Sequence, residues 1–245
     1  MGRGPSIEGR KNAEDAKRAK VFTKLIREIT VAARGGADPT GNPRLRLAMD
    51  KALTSNMPKD TIERAIRRGS GADGGEQTHE IRYEGYGPGG VAIMIDCVTD
   101  NPTRTVADVR LAFTKHGGNL GTSGSVAFQF RRIGEIVLDT RGDSAIEDKI
   151  LDLALTAGAD DVQSEGGHCT VVATPEQFEA VRQALIGAGL QPIEAHIIMQ
   201  PLNRVAVKGE TAEALVKLLE RLEELDDVQQ VHHAAELPKD LPAPA

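Results

Sequence analysis

Around residue 70 the spacing of the apolar residues changes, and that change governs what the chain can fold into. Before it, the apolar runs keep the 3.6-residue period of a helix; after it, runs with strand character alternate with helical ones. From Asn12 to Arg34, the residues Phe22, Leu25, Ile26, Ile29, Ala32 and Ala33 fall on one helical face. Asn42-Pro43, a cap followed by a first-turn proline, announces a second helix reaching about Ser55, with Leu45, Met49, Ala52 and Leu53 on one side. A third starts at Pro58, turns Ile62, Ala65 and Ile66 inward and stops at Gly69. Short amphipathic helices like these bury their faces only against one another, which predicts a small bundle. The run from Gly69 to Gly75, Gly-Ser-Gly-Ala-Asp-Gly-Gly, has no period and reads as a flexible linker.

Beyond the linker the spacing predicts a strand over 91–98, a helix over 103–116 and a strand over 125–130. A fuller block follows. It has a strand over 134–140, a capping box Ser144-Ala-Ile-Glu147 opening a helix to about Gly158, and a hairpin of 161–164 with 168–173. A second capping box, Thr174-Pro-Glu-Gln177, opens a helix to Gly187, and a strand over 193–199 closes the block. That order is βαββαβ, the ferredoxin-like split unit. The remaining strand 204–208, leucine-rich helix and strand 228–232 are too little to fold alone, so they are expected to complete a second βαββαβ with residues 91–130. The expected fold class is α+β: an N-terminal helical bundle plus two ferredoxin-like βαββαβ domains, one inserted in the other. The domains would be 1–71, basic and helical; 76–132 plus 201–237, discontinuous α/β; and 133–200, inserted. Strand 204–208 should share a sheet with strand 125–130. The tail from Pro238 to Ala245 is proline-rich and expected to be disordered.

Charge divides the same way. Residues 1–71 hold 16 Lys and Arg against 8 Asp and Glu, whereas the other 174 residues hold 14 against 28. Such asymmetry suggests a basic module that meets polyanions, carried on an acidic body. At 100° per residue, Lys17, Lys20, Lys24, Arg27 and Arg34 form a stripe about 100° wide, opposite the apolar face of the first helix. On the third helix Arg64, Arg67 and Arg68 lie on the far side, and Lys59 opens it. These nine side chains are the candidate nucleic-acid contacts. No apolar stretch approaches the ~20 residues of a membrane span, and charged residues rather than an apolar segment follow the first Met, so a cytoplasmic protein is expected. Aromatic residues number seven and none is Trp, which argues against a function built on base stacking.

Chemistry-bearing motifs are sparse. The run Arg82-Tyr-Glu-Gly-Tyr-Gly-Pro-Gly-Gly90 enters a strand instead of leaving one for a helix, so it reads as a glycine-rich hairpin turn and not a phosphate loop. Lys115, His116, Gly117 and Gly118 open a second glycine-rich loop, a candidate anion contact. The six histidines lack zinc-site spacing, so neither a metal nor a cofactor is expected. Asp96, Asp100 and His116 could be drawn as acid–base machinery, but nothing sharper supports an enzyme or a small-molecule substrate. Phe128 and Phe130 alternate along the 125–130 strand, as stacking aromatics do in RNA-recognition motifs; Val126 shares their face, so an inward, core-facing side is the expectation here. Cys97 and Cys169 sit in strand-like apolar runs as buried thiols.

Several long motifs in fixed order resemble the YebC/PmpR family. They are Phe22-Thr-Lys-Leu-Ile-Arg-Glu-Ile29, Asn42-Pro-Arg-Leu-Arg46, Asn56-Met-Pro-Lys-Asp60, Ile62-Glu-Arg-Ala-Ile66, the Arg82–Gly90 run, Lys115-His-Gly-Gly-Asn119 and Gly124-Ser-Val-Ala-Phe128. The first ten residues depart from the Gly-His-Ser-Lys-Trp start of many relatives. The resemblance implies an N-terminal helical domain plus two α/β domains. It also implies a probable transcriptional regulator that binds DNA, or alternatively a ribosome-associated translational activator that binds ribosomal RNA. Lysine and arginine contacts to phosphate serve both equally.

Overall fold

The computed structural model describes residues 7–72 and 78–238. Residues 73–75 of the expected linker and residues 239–245 of the expected disordered tail lie outside the described residues. The chain forms two compact units: one runs to Ser125 and regains Ala206–Val231, the other comprises Val126–Val205 with His232–Glu236. No helix among the described residues is long and apolar enough to cross a membrane.

Three helices open the first unit: α1 (Ile7–Ala33), α2 (Pro43–Thr54) and α3 (Lys59–Gly69). They bury Ile29, Ala32, Ala33, Leu45, Ala48, Ala52, Met57, Ile62 and Ala65, with Phe22, Leu25, Ile26, Met49 and Ile66 packed at the margin. Helix α1 starts five residues before Asn12, and Leu53, expected on the inner side of α2, is 44% exposed. The Asn42 side-chain oxygen Oδ1 caps α2 by accepting from Leu45 N at 3.1 Å, while its side-chain Nδ2 donates to Ala32 O and Gly36 O, tying the end of α1 to the start of α2. Gly69 lets α3 close on α1: a Cβ there would stand 2.0 Å from the Thr30 carbonyl oxygen.

The remaining elements, in order, are β1 (His79–Gly87), β2 (Val91–Thr99), α4 (Pro102–Lys115), β3 (Asn119–Leu120), β4 (Phe130–Asp139), α5 (Ser144–Thr156), β5 (Asp161–Glu165), β6 (His168–Ala173), α6 (Phe178–Gly187), β7 (Glu194–Pro201), β8 (Val205–Ala206), α7 (Gly209–Glu223), β9 (Val228–His233) and β10 (Ala235–Glu236). The first sheet has the order β3-β1-β2-β9 and the second β5-β6-β4-β7, while β8 pairs with β10.

Two expectations about the first sheet are corrected. Residues 125–130 are not a strand: Ala127–Gln129 make a 3-10 turn that leads into β4. Nor does 204–208 join this sheet, since only Val205 and Ala206 are extended, against β10. The fourth strand is instead β1, in the glycine-rich segment read as a turn. It pairs antiparallel with β2 from His79↔Thr99 to Gly87↔Val91, and only Pro88-Gly89-Gly90 turn, with φ of 75° and 72° at the two glycines. The glycines inside β1 answer to packing. A Cβ at Gly85 would lie 2.7 Å from Asn119 O and 2.8 Å from the Phe113 ring; one at Gly87 would meet Ile93 and Leu215.

The second sheet follows the βαββαβ order, with β4 central and antiparallel to both β6 and β7. Gly134 makes room for Phe178, whose ring a Cβ would approach to 2.4 Å. Helix α5 is capped one residue earlier than read: the Asp143 carboxylate accepts from Ala145 N and Ile146 N, and Glu147 accepts from the Thr140 hydroxyl. Cys97 and Cys169 are both buried and free, as free thiols in strands.

Candidate nucleic-acid interface

The stripe on α1 is divided between solvent and protein. Lys17 and Lys20 are exposed. Lys24, half-buried, donates from Nζ to Glu223 O at 2.8 Å; burial pushes its pKa down and the nearby Glu223 charge opposes the shift. Arg27 pairs with the Asp227 carboxylate at 3.0 Å and donates to Asp226 O. Arg34 donates to the carbonyl and hydroxyl oxygens of Thr78. The face opposite the bundle core therefore meets the acidic turn between α7 and β9 over part of its length, and not solvent throughout.

Asp227 is the centre of that contact. Its side chain, 8% exposed, accepts from Arg27, from Arg104 at 2.9 and 3.1 Å, from the Thr105 hydroxyl at 2.8 Å and from Thr99 at 3.3 Å. Burial pushes the carboxyl pKa up, but the hydrogen bonds from Arg104 and Thr105 and the Arg27 charge outweigh it and hold the group below its ordinary range. One carboxylate thus joins α1, the end of β2, α4 and the α7–β9 turn. Arg44 makes a second tie, bridging Glu28 on α1 and Glu80 on β1 at 2.8 Å each; burial would lower its pKa, and the two carboxylates raise it. Beside Asp227 lies a cleft of ≈ 580 Å³ lined by three cations, Lys20, Arg27 and Arg104, and five carboxylates, which is no place for a phosphate.

Helix α3 is different. Lys59, Arg64, Arg67 and Arg68 are all exposed, and the three arginines fall within about 100° of one another, nearly opposite Ile62 and Ala65. Arg64 reaches the Asp60 carboxylate at 3.5 Å, one turn back, and both groups are largely in solvent, where such a pair holds weakly.

The loop at 115–118 is spent on helix capping. His116 N and Gly118 N both donate to Phe113 O, at 3.1 and 2.9 Å, at the negative end of the α4 dipole, so those N–H groups and that end of the helix do not favour an anion. Further along, Gly124 N donates to the buried carboxylate of Glu84 at 2.8 Å. Asp96, Asp100 and His116 do not converge. Asp96 pairs with Arg82 at 2.6 Å and Asp100 with Arg104 at 2.9 Å, while His116 caps the other end of α4, about 21 Å away at 1.5 Å per residue. Among the described residues no group of three or more His, Cys, Asp or Glu could hold a metal ion.

Two family models cover this frame. One, described as the TACO1/YebC protein N-terminal domain, matches residues 4–72; the other, described as the TACO1/YebC second and third domain, matches residues 78–235. The chain belongs to the TACO1/YebC family. It is 58% identical over 235 residues to a probable transcriptional regulatory protein of Xanthomonas euvesicatoria, covering 95% of this chain and 96% of that one. A probable transcriptional regulatory protein of Stenotrophomonas maltophilia is 54% identical over 243 residues, 98% of this chain and 99% of its own. The crystal structure of a conserved hypothetical protein of Aquifex aeolicus superposes with a TM-score of 0.84 at 47% identity, covering 93% of each chain.

Within this TACO1/YebC frame, sequence reasoning missed Asp227 and Arg44. Asp227 directly precedes the apolar start of β9, but its partners lie more than 120 residues away, so no local spacing exposes the cluster. Phe128 was misjudged: it stands on the 3-10 turn and is 71% exposed, whereas Phe130 and Val126 are buried.

Proposed function

We propose that this TACO1/YebC family chain is a non-enzymatic, cytoplasmic regulator of gene expression that binds nucleic acid, DNA first, through exposed cations of its helical bundle. The supporting observation is α3, where Arg64, Arg67 and Arg68 stand on one exposed face and Lys59 is exposed at its start, with Lys17 exposed on α1. The names of the relatives, probable transcriptional regulatory proteins, agree with this reading. Lys24, Arg27 and Arg34 are assigned to holding the bundle on the first α/β sheet and not to phosphate. The bundle, 1–71, acts as the binding domain, with 133–200 inserted in a discontinuous domain of 76–132 plus 201–237.

Charge reversal tests it. About four phosphate contacts give log K a slope near −4 against log salt, at roughly −0.9 per contact on duplex DNA. Lys59→Glu, Arg64→Glu, Arg67→Glu and Arg68→Glu together should abolish binding and leave the circular dichroism spectrum unchanged, since exposed charges contribute within about 0.5 kcal/mol each to stability. Unchanged affinity for both duplex DNA and ribosomal RNA would eliminate the bundle as the binding surface. Wild-type binding to ribosomal RNA without any to DNA would replace transcriptional with translational control.

A further inference from the structure

Outside the bundle the chain is acidic, yet residues 126–134 and 195–205 contain no Asp or Glu and hold Arg131, Arg132 and Arg204. The second sheet brings these two stretches side by side. Phe130 stands opposite Pro201, Arg131 opposite Gln200 and Arg132 opposite Met199, and Leu202 N donates to Gln129 O at 2.8 Å. At the same end of the sheet the chain exposes apolar side chains: Phe128 at 71%, Leu202 at 56% and Val205 at 40%. Phe128 is the one exposed aromatic among the described residues; Phe22, Tyr83 and Tyr86 are half-buried and Phe113, Phe130 and Phe178 are buried.

Two of the guanidinium groups are held in place. Arg131 Nε donates to Gln200 Oε1 at 2.8 Å, and Arg204 donates to Ala235 O at 3.2 Å. The next carboxylate along β4, Glu135, is half-buried. Its pKa is pushed up by burial and by Glu194, against the pull of Arg204. An exposed aromatic at the end of a sheet that carries two fixed guanidinium groups matches an unstacked base with its flanking phosphates. Stacking supplies sequence-tolerant affinity and the arginines supply charge complementarity.

We propose that Phe128, with Arg131 and Arg204, forms a second contact that takes single-stranded nucleic acid, stacking one base on the Phe128 ring. This surface rests on the reading that the chain meets nucleic acid, but it is separate from the basic face of α3 and would select an unpaired segment.

The full-length chain is titrated with a short labelled oligouridine, its deoxy counterpart and a duplex of the same length. Phe128→Ala should weaken binding of the single strands about tenfold or more and leave duplex affinity within about twofold, since base–aromatic stacking carries that order of effect. Arg131→Ala should flatten the salt slope on single strands by about 0.7. Because the chain has no tryptophan, F128W supplies one emitting indole, which a stacked base should quench. Wild-type affinity in F128A, or F128W emission unmoved by saturating single strand, overturns the assignment and leaves the α3 surface untouched. A free chain that sediments as a dimer and becomes a monomer on F128A gives the patch to a second copy, and also overturns it. Wild-type chain that binds none of the three probes removes the nucleic-acid reading itself, and this inference with it.

Discussion

Replacing Asp227 by Ala should cost more than any other single change at the seam between the bundle and the first sheet. The carboxylate is 8% exposed and receives hydrogen bonds from two guanidinium groups and two threonine hydroxyls. Breaking a buried ion pair by deleting one partner costs about 3–5 kcal/mol. Here the stranded partners reach water, because the Arg27 side chain is 24% exposed and that of Arg104 47%, and Thr105 keeps its bonds to Thr99 and Asn101. The discounted cost is about 2–3 kcal/mol, or roughly 4–12 °C in Tm for a chain of this size. The pH dependence fixes the cause. Asp227 has a lowered pKa in the folded state, so it contributes stability above its unfolded value of about 3.8, and that contribution is lost as pH falls through the folded value. Scanning calorimetry of wild type, D227A and D227N should show a gap that is full at pH 7 and narrows steadily below about pH 4. A variant that melts with wild type at pH 7, or a gap just as wide at pH 3, would refute the argument that charge at this carboxylate joins the two parts.

Two further outcomes follow from close packing and burial. Gly69→Ala places a Cβ 2.0 Å from Thr30 O and 2.8 Å from the Ala33 Cβ, so α3 must move away from α1; urea denaturation should register a loss of about 1–3 kcal/mol or more. Burial, reinforced by Asp227 and Asp96, pushes the Cys97 thiol up to about 12, and burial also raises that of Cys169, so the native chain at pH 8 should leave a disulfide reagent such as Ellman's unreacted and consume two equivalents only in denaturant.

What was legible in the sequence was whatever local spacing encodes. The α1 core residues from Phe22 to Ala33 all enter the bundle cluster, and Asn42-Pro43 caps α2 as the motif suggests. The second sheet reads through because its strands are contiguous in sequence and its turns carry glycine. Elsewhere the local signal pointed the wrong way. Gly85 and Gly87 look like breakers, but they are strand residues whose missing side chains admit Phe113 and Leu215, partners 28 and 128 residues further on. β3 is two residues long and has no period to find. Arg27 lies on the charged side of α1 just as its periodicity says; periodicity cannot tell water from an acidic turn two hundred residues downstream.

The position of β9 has a consequence for how the chain is made. β9 lies beside β2 in the first sheet, and α7, whose Leu215 and Leu218 pack where a Cβ on Gly87 would intrude, precedes it by only a few residues. Everything the second sheet needs, from Phe130 to Pro201, emerges from the ribosome earlier and in one piece. The later-numbered unit is therefore free to form first, through short-range contacts, while the earlier-numbered one waits with Ile93 uncovered and one strand missing. A nascent chain stopped at residue 205 would carry a finished second sheet and a first one still lacking β9 and its α7 cover, the state in which this protein most needs protection from aggregation.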